Sequence, residues 1–260
     1  MTKKIVAIGG GENGRILRNG EKALYETELM DKEIIRLTEK EKSNYLFINH
    51  AMCFSKEIQD SYYETMKKIY GDKFGCNCRH LNSDELYNKE LVNEFIDWAD
   101  IIYEGGGDTS LMIKLWKDTG FDKKLYEAWE KGKVICGISA GAVCWFKYCN
   151  SDLDKTKFGV VNCLNWIDAF ITPHSDEEGR SESTKEQLKD INSVGLLLSN
   201  CSAIEIVDDK YRIIIENGNN RNFSKGYIYK AYWNNETYFE TKLEESKEFL
   251  PLTKLLKKDK

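Results

Sequence analysis

Short apolar runs alternate with amphipathic stretches along the first 140 residues of the chain. In the amphipathic stretches apolar residues recur every three or four positions, as Met30, Ile34 and Leu37 do, which is the spacing of a helix face. Five apolar runs predict buried strands, at residues 4–8, 45–48, 76–81, 100–103 and 134–138. Helices are predicted between them, notably at residues 56–70, 110–116 and 125–131. This alternation predicts a parallel sheet with helices on both faces.

The pattern changes after about residue 150. Residues 168–172 predict another strand, and two hairpins follow, one at 207–215 with its turn at 208–210 and one at 227–241. We expect these hairpins to extend the parallel sheet with antiparallel strands. Since no linker, repeat or low-complexity tract interrupts the chain, residues 1–260 are predicted to form a single α/β domain.

Composition and charge narrow the class of protein. The 260 residues are 41% hydrophobic and 31% charged with a net charge of −5, which is ordinary for a globular protein. A basic cluster occurs only at residues 255–260, which we expect to be a solvated terminus, so nucleic acid is not an expected partner. No apolar run approaches the ~20 residues that cross a membrane, and no signal sequence precedes the first strand. These features predict a cytoplasmic protein without a membrane partner.

The cysteines are expected to be reduced thiols in that compartment, although the chain has eight of them. Cys76 and Cys78 are separated by one residue and have no second pair nearby, a spacing that zinc sites do not use. We therefore predict no metal site.

Three glycine-containing loops follow predicted strands, at the sheet edge where parallel sheets bind ligands. Gly137, Ser139 and Gly141 have the spacing of a nucleophile elbow, with a helix predicted over residues 140–148. The alternative interpretation is a strand end made of small residues for close packing. Residues 105–109 form a second glycine-rich loop. Residues 9–14 form the third, which we call the first glycine loop because it comes first along the chain. It fits a dinucleotide fingerprint formally, but the second strand ends without the acidic residue that would bind a ribose, so no cofactor is expected.

A serine nucleophile needs a general base, and the chain has only three histidines. His174 follows a predicted strand downstream of Ser139, and its position favours it as the base. His50 lies at the end of the second strand, where it could line the pocket. His80 lies in the third strand and is predicted to be structural or exposed.

Four motifs in this order resemble peptidase family S51, the peptidase E family, which groups aspartyl dipeptidases with cyanophycinases. They are residues 8–11, residues 103–109, residues 137–142, and Pro173-His174 with Arg180 beyond; a looser match covers residues 195–205. The resemblance extends over roughly residues 4–215. It implies a class-I-glutamine-amidotransferase-like three-layer α/β sandwich and a metal-independent serine hydrolase.

Roles at the site follow from the same resemblance. Ser139 would be the nucleophile and His174 the base, while the N–H groups of Gly107 and Ala140 would form the oxyanion hole. The position expected to hold the acid that orients the histidine is occupied by Asn200. An amide can orient a histidine but does not stabilise its charged form as a carboxylate does. The third member is therefore either Asn200 or one of three nearby acids: Asp154, Asp176 or Glu205.

The residues that would bind substrate also depart from the family pattern. Asp108 stands where the family usually has Asn, and its carboxylate could repel an acidic substrate or bind a free amine. Recognition of an N-terminal aspartate relies on a basic residue downstream of the histidine, for which Arg180 and Lys185 are the candidates. Lys185 could equally be a solvated charge on a helix surface, and lysine does not replace arginine at a bidentate carboxylate site.

The sequence therefore predicts serine-dependent, dipeptidase-like hydrolysis of short peptides, with a preference for an N-terminal acidic residue. One alternative is a catalytically impaired homologue that binds a small peptide or metabolite, and Asn200 is the main reason to consider it. Another is a cyanophycinase- or esterase-like hydrolase with the same mechanism. The chain is expected to be a monomer or a homodimer.

Overall fold

The structure is a computed structural model that describes residues 1–16, 19–154, 157–216 and 225–259, without the side chain of Asp154. Its strands are β1 (Lys4–Ile8), β2 (Asn44–Phe47), β3 (Asn77–His80), β4 (Ile101–Glu104), β5 (Val134–Ile138), β6 (Phe146–Asp154), β7 (Lys157–Asn162), β8 (Ile167–Thr172), β9 (Gly195–Leu198), β10 (Ser202–Val207), β11 (Lys210–Ile215), β12 (Ile228–Asn234), β13 (Thr237–Leu243) and β14 (Leu250–Pro251). Its α-helices are α1 (Glu28–Arg36), α2 (Lys56–Lys67), α3 (Lys89–Trp98), α4 (Thr109–Thr119), α5 (Phe121–Glu130), α6 (Ala140–Val143), α7 (Arg180–Asp190) and α8 (Leu252–Leu256).

The larger sheet has eight strands in the order β14-β11-β10-β1-β5-β4-β2-β3. The five strands from β1 to β3 in this order are parallel, as the apolar runs predicted. On the other side of β1, the hairpin of β10 and β11 adds antiparallel strands. The antiparallel extension is therefore confirmed for this hairpin, although its first strand begins at Ser202, earlier than the pattern indicated.

Helices cover both faces of the larger sheet because successive residues of each strand point to opposite sides. Ile5 and Leu46 pack in one cluster with Trp116 of α4, whereas Val6 and Phe47 pack in another cluster with the apolar face of α1. Met30, Ile34 and Leu37, the residues that predicted this helix, are all buried. This arrangement confirms the prediction of helices on both faces.

A second, six-stranded sheet was not predicted from the sequence. Its order is β13-β12-β9-β8-β6-β7, with β6, β8 and β9 parallel and the outer strands antiparallel. The predicted helix over residues 140–148 is wrong beyond Val143, because the chain enters β6 at Phe146. This segment is apolar without a clear period and buried, a pattern that does not distinguish a strand from a helix. The hairpin of β12 and β13 likewise joins this sheet through β9 rather than extending the larger one.

One continuous core connects the two sheets. Ile5 of β1 and Leu46 of β2 belong to the same buried cluster as Phe146, Ile171 and Leu198 of the second sheet. The prediction of a single domain stays a prediction, and this shared core supports it. All eight cysteines carry free thiols. In the described segments, no helix is both long and apolar enough to cross a membrane.

The prediction of a solvated terminus at residues 255–260 is wrong for its first part. Leu255 of α8 is fully buried in the core. The chain on both sides of it is held by Lys230, a buried residue of β12 whose Nζ donates to the Lys254 carbonyl at 2.9 Å and to Asp259 Oδ1 at 2.8 Å. A buried ammonium needs such partners, and they fix this segment to the second sheet.

Candidate active site

Ser139 occupies a tight turn between β5 and α6. Its backbone has φ 56° and ψ −117°, a conformation that a residue with a side chain adopts only at a cost. A Cβ added at Gly137 or Gly141 would lie 2.4 Å or 2.1 Å from the carbonyl oxygen of Glu104 on the neighbouring strand. The two glycines therefore let the turn approach β4, which is the reason that an elbow needs small residues at these positions.

His174 comes from the second sheet and meets Ser139 across the boundary between the sheets. It follows β8 in an unusual conformation with φ 110°, and its backbone N–H donates to the Leu198 carbonyl at 3.1 Å. Its Nε2 lies 2.7 Å from Ser139 Oγ. The serine and the histidine that the sequence selected are thus in direct hydrogen-bond contact, at the distance that proton transfer requires.

The other ring nitrogen of His174 faces Asn200. Nδ1 lies 3.1 Å from Asn200 Oδ1. Behind the amide, Asp176 accepts two hydrogen bonds from Asn200, from the side-chain Nδ2 at 3.0 Å and from the backbone N–H at 2.9 Å. The structure therefore places Asn200 against the histidine and Asp176 one step further out.

The remaining acidic candidates have different surroundings. Glu205 is buried on β10, where Arg212 Nε donates to it at 2.6 Å, and burial raises the pKa of its carboxyl to about 7. The side chain of Asp154 lies outside the described residues. Glu177, which the sequence did not single out, has Oε1 3.9 Å from His174 Nδ1 and is half-exposed. Its position three residues after the histidine was the available signal.

Gly107 and Ala140, whose backbone N–H groups are predicted to form the oxyanion hole, line the same cavity as Ser139. This small cavity has a volume of about 180 Å³ and is also lined by His174. Within the described segments, neither of these N–H groups donates a hydrogen bond to the protein. Two unoccupied donors beside a nucleophile are what stabilisation of a developing oxyanion requires.

A buried carboxylate that sequence reasoning missed holds the glycine-rich loop in place. Glu104 accepts hydrogen bonds from the backbone N–H groups of His50, at 3.2 Å, and Ala51, at 3.0 Å. The Ala51 carbonyl in turn accepts from the Asp108 N–H at 2.8 Å, next to Gly107. Burial raises the pKa of the Glu104 carboxyl well above its usual range. The buried side chain of Glu104 thus positions the glycine-rich loop through the backbone of Ala51.

Two cavities meet at Ser139 and His174. The small one is polar and is also lined by Asp152, Glu177 and Arg180. The larger one has a volume of about 560 Å³ and lies between the first glycine loop and α2. Its lining combines apolar side chains with charged ones: Glu12, Arg15, Ile16, Met52, Glu57, Ile58, Tyr62 and Ile138. This division offers one confined subsite and one open cleft on either side of the nucleophile.

The predicted substrate-binding residues are placed unequally. Arg180 is buried at the small cavity, where Nη2 lies 3.2 Å from both carboxylate oxygens of Asp152 and 3.2 Å from Glu177 Oε2. Asp108 caps α4 by accepting from the Leu111 N–H at 2.9 Å. Lys185 is exposed on α7, with Nζ 5.2 Å from the centre of the Tyr238 ring, and it does not line the small cavity.

The other two histidines are structural. His50 is fully buried, with Nε2 2.8 Å from the Leu81 carbonyl and Nδ1 accepting from Trp116 Nε1 at 2.9 Å. Burial lowers its pKa to about 3, so the ring is neutral, and it does not line the cleft beside Ser139. His80 stacks on Tyr63 with ring centres 4.8 Å apart, and burial lowers its pKa to about 4. Within residues 1–16, 19–154, 157–216 and 225–259, no three His, Cys, Asp or Glu side chains form a group that could hold a metal ion.

Comparison with known proteins gives consistent results at the level of sequence. The family described as Peptidase family S51 matches residues 16–214. A peptidase of Bacillus subtilis (strain 168), YgaJ, which carries the description uncharacterized, is 30% identical over 186 residues. That alignment covers 72% of this chain and 74% of YgaJ.

Two solved structures share the fold. A peptidase from an acI-B1 Actinobacterium has a TM-score of 0.68 and 16% identity, covering 96% of this chain and 97% of its own. A protein from Listeria monocytogenes EGD-e that is named for peptidase E has a TM-score of 0.60 and 21% identity, covering 82% of this chain and 98% of its own. These likenesses confirm the α/β fold class, a three-layer sandwich, that the sequence predicted.

Proposed function

Because the chain belongs to peptidase family S51, we propose that it is a serine peptidase that hydrolyses short peptides, in a dipeptidase-like reaction, through an acyl-enzyme. The observation that carries this proposal is the 2.7 Å contact between Ser139 Oγ and His174 Nε2 at a strained elbow. A serine held in this way has an activating base and lines a cavity beside backbone N–H groups that bind no acceptor in the described residues.

The proposed reaction has two halves. Ser139 Oγ attacks the peptide carbonyl carbon while His174 Nε2 takes the hydroxyl proton, and the oxyanion is stabilised by the N–H groups of Gly107 and Ala140. Collapse of this intermediate breaks the C–N bond, and His174 gives its proton to the leaving amine. A water molecule then attacks the acyl carbon with His174 as base, which releases the acid and restores the serine.

The sizes of the two cavities support a short substrate. A volume of about 180 Å³ suits a single residue, while the open cleft of about 560 Å³ has room for the rest of a peptide. The confined cavity contains Arg180, Asp152 and Glu177, and these charged groups could bind a chain terminus or a polar side chain. We propose that the terminal residue occupies the small cavity and that the scissile carbonyl lies at Ser139.

The experiment that tests the function combines labelling with hydrolysis. A fluorophosphonate is expected to label wild-type protein at Ser139 and to leave Ser139→Ala unlabelled. In parallel, the wild type is expected to release free amino acid from members of a panel of dipeptides and aminoacyl anilides, Asp-Xaa included. Labelling without hydrolysis of any panel member would point to another substrate class, such as an ester or a cyanophycin-like polymer. Failure of both, with the protein folded, would contradict the proposal and favour a binding protein.

A preference for an N-terminal acidic residue is the finer part of the proposal, and its strength depends on how free Arg180 is. The guanidinium of Arg180 already forms ion pairs with two carboxylates, those of Asp152 and Glu177. An acidic substrate side chain would have to compete for Arg180 with Asp152, whose side chain is mostly exposed, and with Glu177. We therefore propose that the wild type prefers an acidic terminal residue only weakly over a neutral one.

Substitution of Asp152 by asparagine is expected to strengthen selection for acidic residues. Removing a partly exposed ion-pair partner is worth up to about 1 kcal/mol, which corresponds to a roughly fivefold rise in the ratio of kcat/KM for Asp-Xaa over Ala-Xaa. Arg180→Ala is the matched control and should lower that ratio. If both variants leave the ratio unchanged, Arg180 does not contact the substrate side chain.

A further inference from the structure

We propose that Asp176 is a positioning residue that locks the side-chain amide of Asn200, so that His174 is held in the tautomer that can accept the proton of Ser139. The inference rests on the proposed function only for its effect on turnover. The arrangement of donors and acceptors that carries it is independent of the substrate.

The contacts of Asp176 fix the orientation of the Asn200 amide. An ionised carboxylate only accepts hydrogen bonds, whereas a side-chain amide has one accepting end and one donating end. Asp176 binds the backbone N–H of Asn200 with one oxygen, at 2.9 Å, and the Nδ2 of the same residue with the other, at 3.0 Å. The donating end of the amide must therefore face Asp176, and Oδ1 is left facing the histidine.

The orientation of the amide in turn fixes the tautomer of the His174 ring. Asn200 Oδ1 can only accept, so its 3.1 Å contact requires that Nδ1 of His174 carries the hydrogen. In the neutral ring Nε2 then has a lone pair, and it points at Ser139 Oγ 2.7 Å away. This is the tautomer in which a histidine acts as a general base toward a serine.

An amide can orient the histidine here because Asp176 holds it in one orientation. In chymotrypsin-like enzymes the change of the triad Asp to Asn lowers kcat by about 10⁴-fold, because the histidine is held in the wrong tautomer. An amide with nothing behind it can present either end to the ring. In this chain Asp176 removes the choice, and the carboxylates of Asp176 and Glu177 also supply negative charge near the ring. Asn200 thus orients the histidine as a triad acid would, while the negative charge lies on Asp176, one residue further from the ring.

The test reads the tautomer directly. The chain has three histidines, so ¹⁵N spectra recorded at alkaline pH contain the signals of three neutral imidazoles. The signals that are missing from the spectrum of His174→Gln belong to His174. The wild type is expected to show hydrogen on Nδ1 of His174. In Asp176→Asn, which keeps the size of the side chain, two amide donors would face each other, and the amide of Asn200 is expected to turn its Nδ2 toward the ring. The hydrogen then moves to Nε2, and kcat falls by roughly 10³- to 10⁴-fold.

A reciprocal exchange provides the rescue. When Asp176→Asn is combined with Asn200→Asp, each hydrogen bond of the cluster can be kept with the carboxylate next to the ring and the amide behind it. The double variant is expected to restore hydrogen on Nδ1 and to bring kcat within about tenfold of the wild type. Glu177→Gln is the control, because it removes a nearby charge without contacting Asn200, and the tautomer should not change.

The outcomes separate this inference from the proposed function. If His174 keeps its hydrogen on Nδ1 in folded Asp176→Asn, the positioning role is wrong, whatever the activity. A changed tautomer in a protein that hydrolyses no peptide would support the positioning role and contradict the function. Should the single variant fail to fold, the double variant decides, because hydrogen on Nε2 in that protein would overturn the inference.

Discussion

Replacement of Ser139 by glycine is expected to abolish turnover and to make the protein more stable than replacement by alanine. Both substitutions remove Oγ, and loss of the nucleophile in a serine protease lowers kcat by roughly 10⁶-fold. They differ only in the Cβ. The fold holds this residue at φ 56° and ψ −117°, a backbone conformation that is unfavourable for a residue with a Cβ. Such strain is worth about 1–3 kcal/mol, and glycine is free of it.

The comparison of the two variants isolates the energetic cost of the elbow. Both lose the same hydrogen bond to His174, so that contribution cancels. After allowance for the extra entropy of glycine in the unfolded chain, we expect the glycine variant to exceed the alanine variant by about 1–2 kcal/mol in free energy of unfolding. Equilibrium urea unfolding of both proteins measures this difference directly.

Two results would contradict this expectation. Equal free energies of unfolding for the two variants would mean that the elbow is not strained in solution. If kcat of Ser139→Ala is well above the value that a roughly 10⁶-fold reduction would leave, another group performs the attack. Because stability and kcat are measured on the same proteins, a general loss of folding is recognised immediately.

The parallel half of the fold was predictable because its strands are short apolar runs bounded by turns. Residues 4–8 and 134–138, for example, gave β1 and β5 with the same bounds. The second sheet was not predictable in the same way. Lys157–Asn162 is largely exposed and lacks a clear alternation, and Gly195–Leu198 is buried throughout, so periodicity identified neither as a strand.

The site residues that belong to local sequence motifs were predictable. The elbow identified Ser139, and elimination among three histidines favoured His174. The role of Asp176 could not be read in this way, although the residue was among the candidates. Its contact with Asn200 joins positions 24 apart in sequence, and it depends on the φ of 110° at His174 and on the pairing of β8 with β9. Such a contact is a property of the assembled sheet.

The first glycine loop illustrates the same limit, since its sequence suggested a dinucleotide fingerprint and its position explains a different requirement. Gly10 packs over the contact between His174 and Asn200. A Cβ added there would lie 2.1 Å from Asn200 Oδ1 and 2.3 Å from His174 Nδ1. These distances are far below contact, so the two side chains would have to separate. The loop thus closes the back of the catalytic cluster with bare backbone, which no other residue type provides.

Gly10→Ala is therefore expected to lower kcat by about 10⁴-fold, although Gly10 itself supplies no reacting group. The new methyl group occupies the space of the hydrogen bond that orients His174, and misplacement of a catalytic group by about 1 Å alone costs roughly 10²-fold. The rate of fluorophosphonate labelling of Ser139 should fall in parallel, because that reaction uses the same base. Turnover and labelling are measured together with thermal unfolding.

Gly71→Ala is the matched control for this prediction. The nearest neighbour of its Cβ would be Cys78 Sγ, at 3.3 Å, and its φ lies outside the left-handed region, so activity should be unchanged. Full activity in folded Gly10→Ala would mean that His174 acts without its hydrogen bond to Asn200. The proposed role of the amide would then be wrong. A loss of turnover with labelling intact would instead place the defect in substrate binding, since the first glycine loop also borders the larger cleft. Parallel loss of both in a protein that still folds is the result expected if Gly10 leaves space for the hydrogen bond between His174 and Asn200.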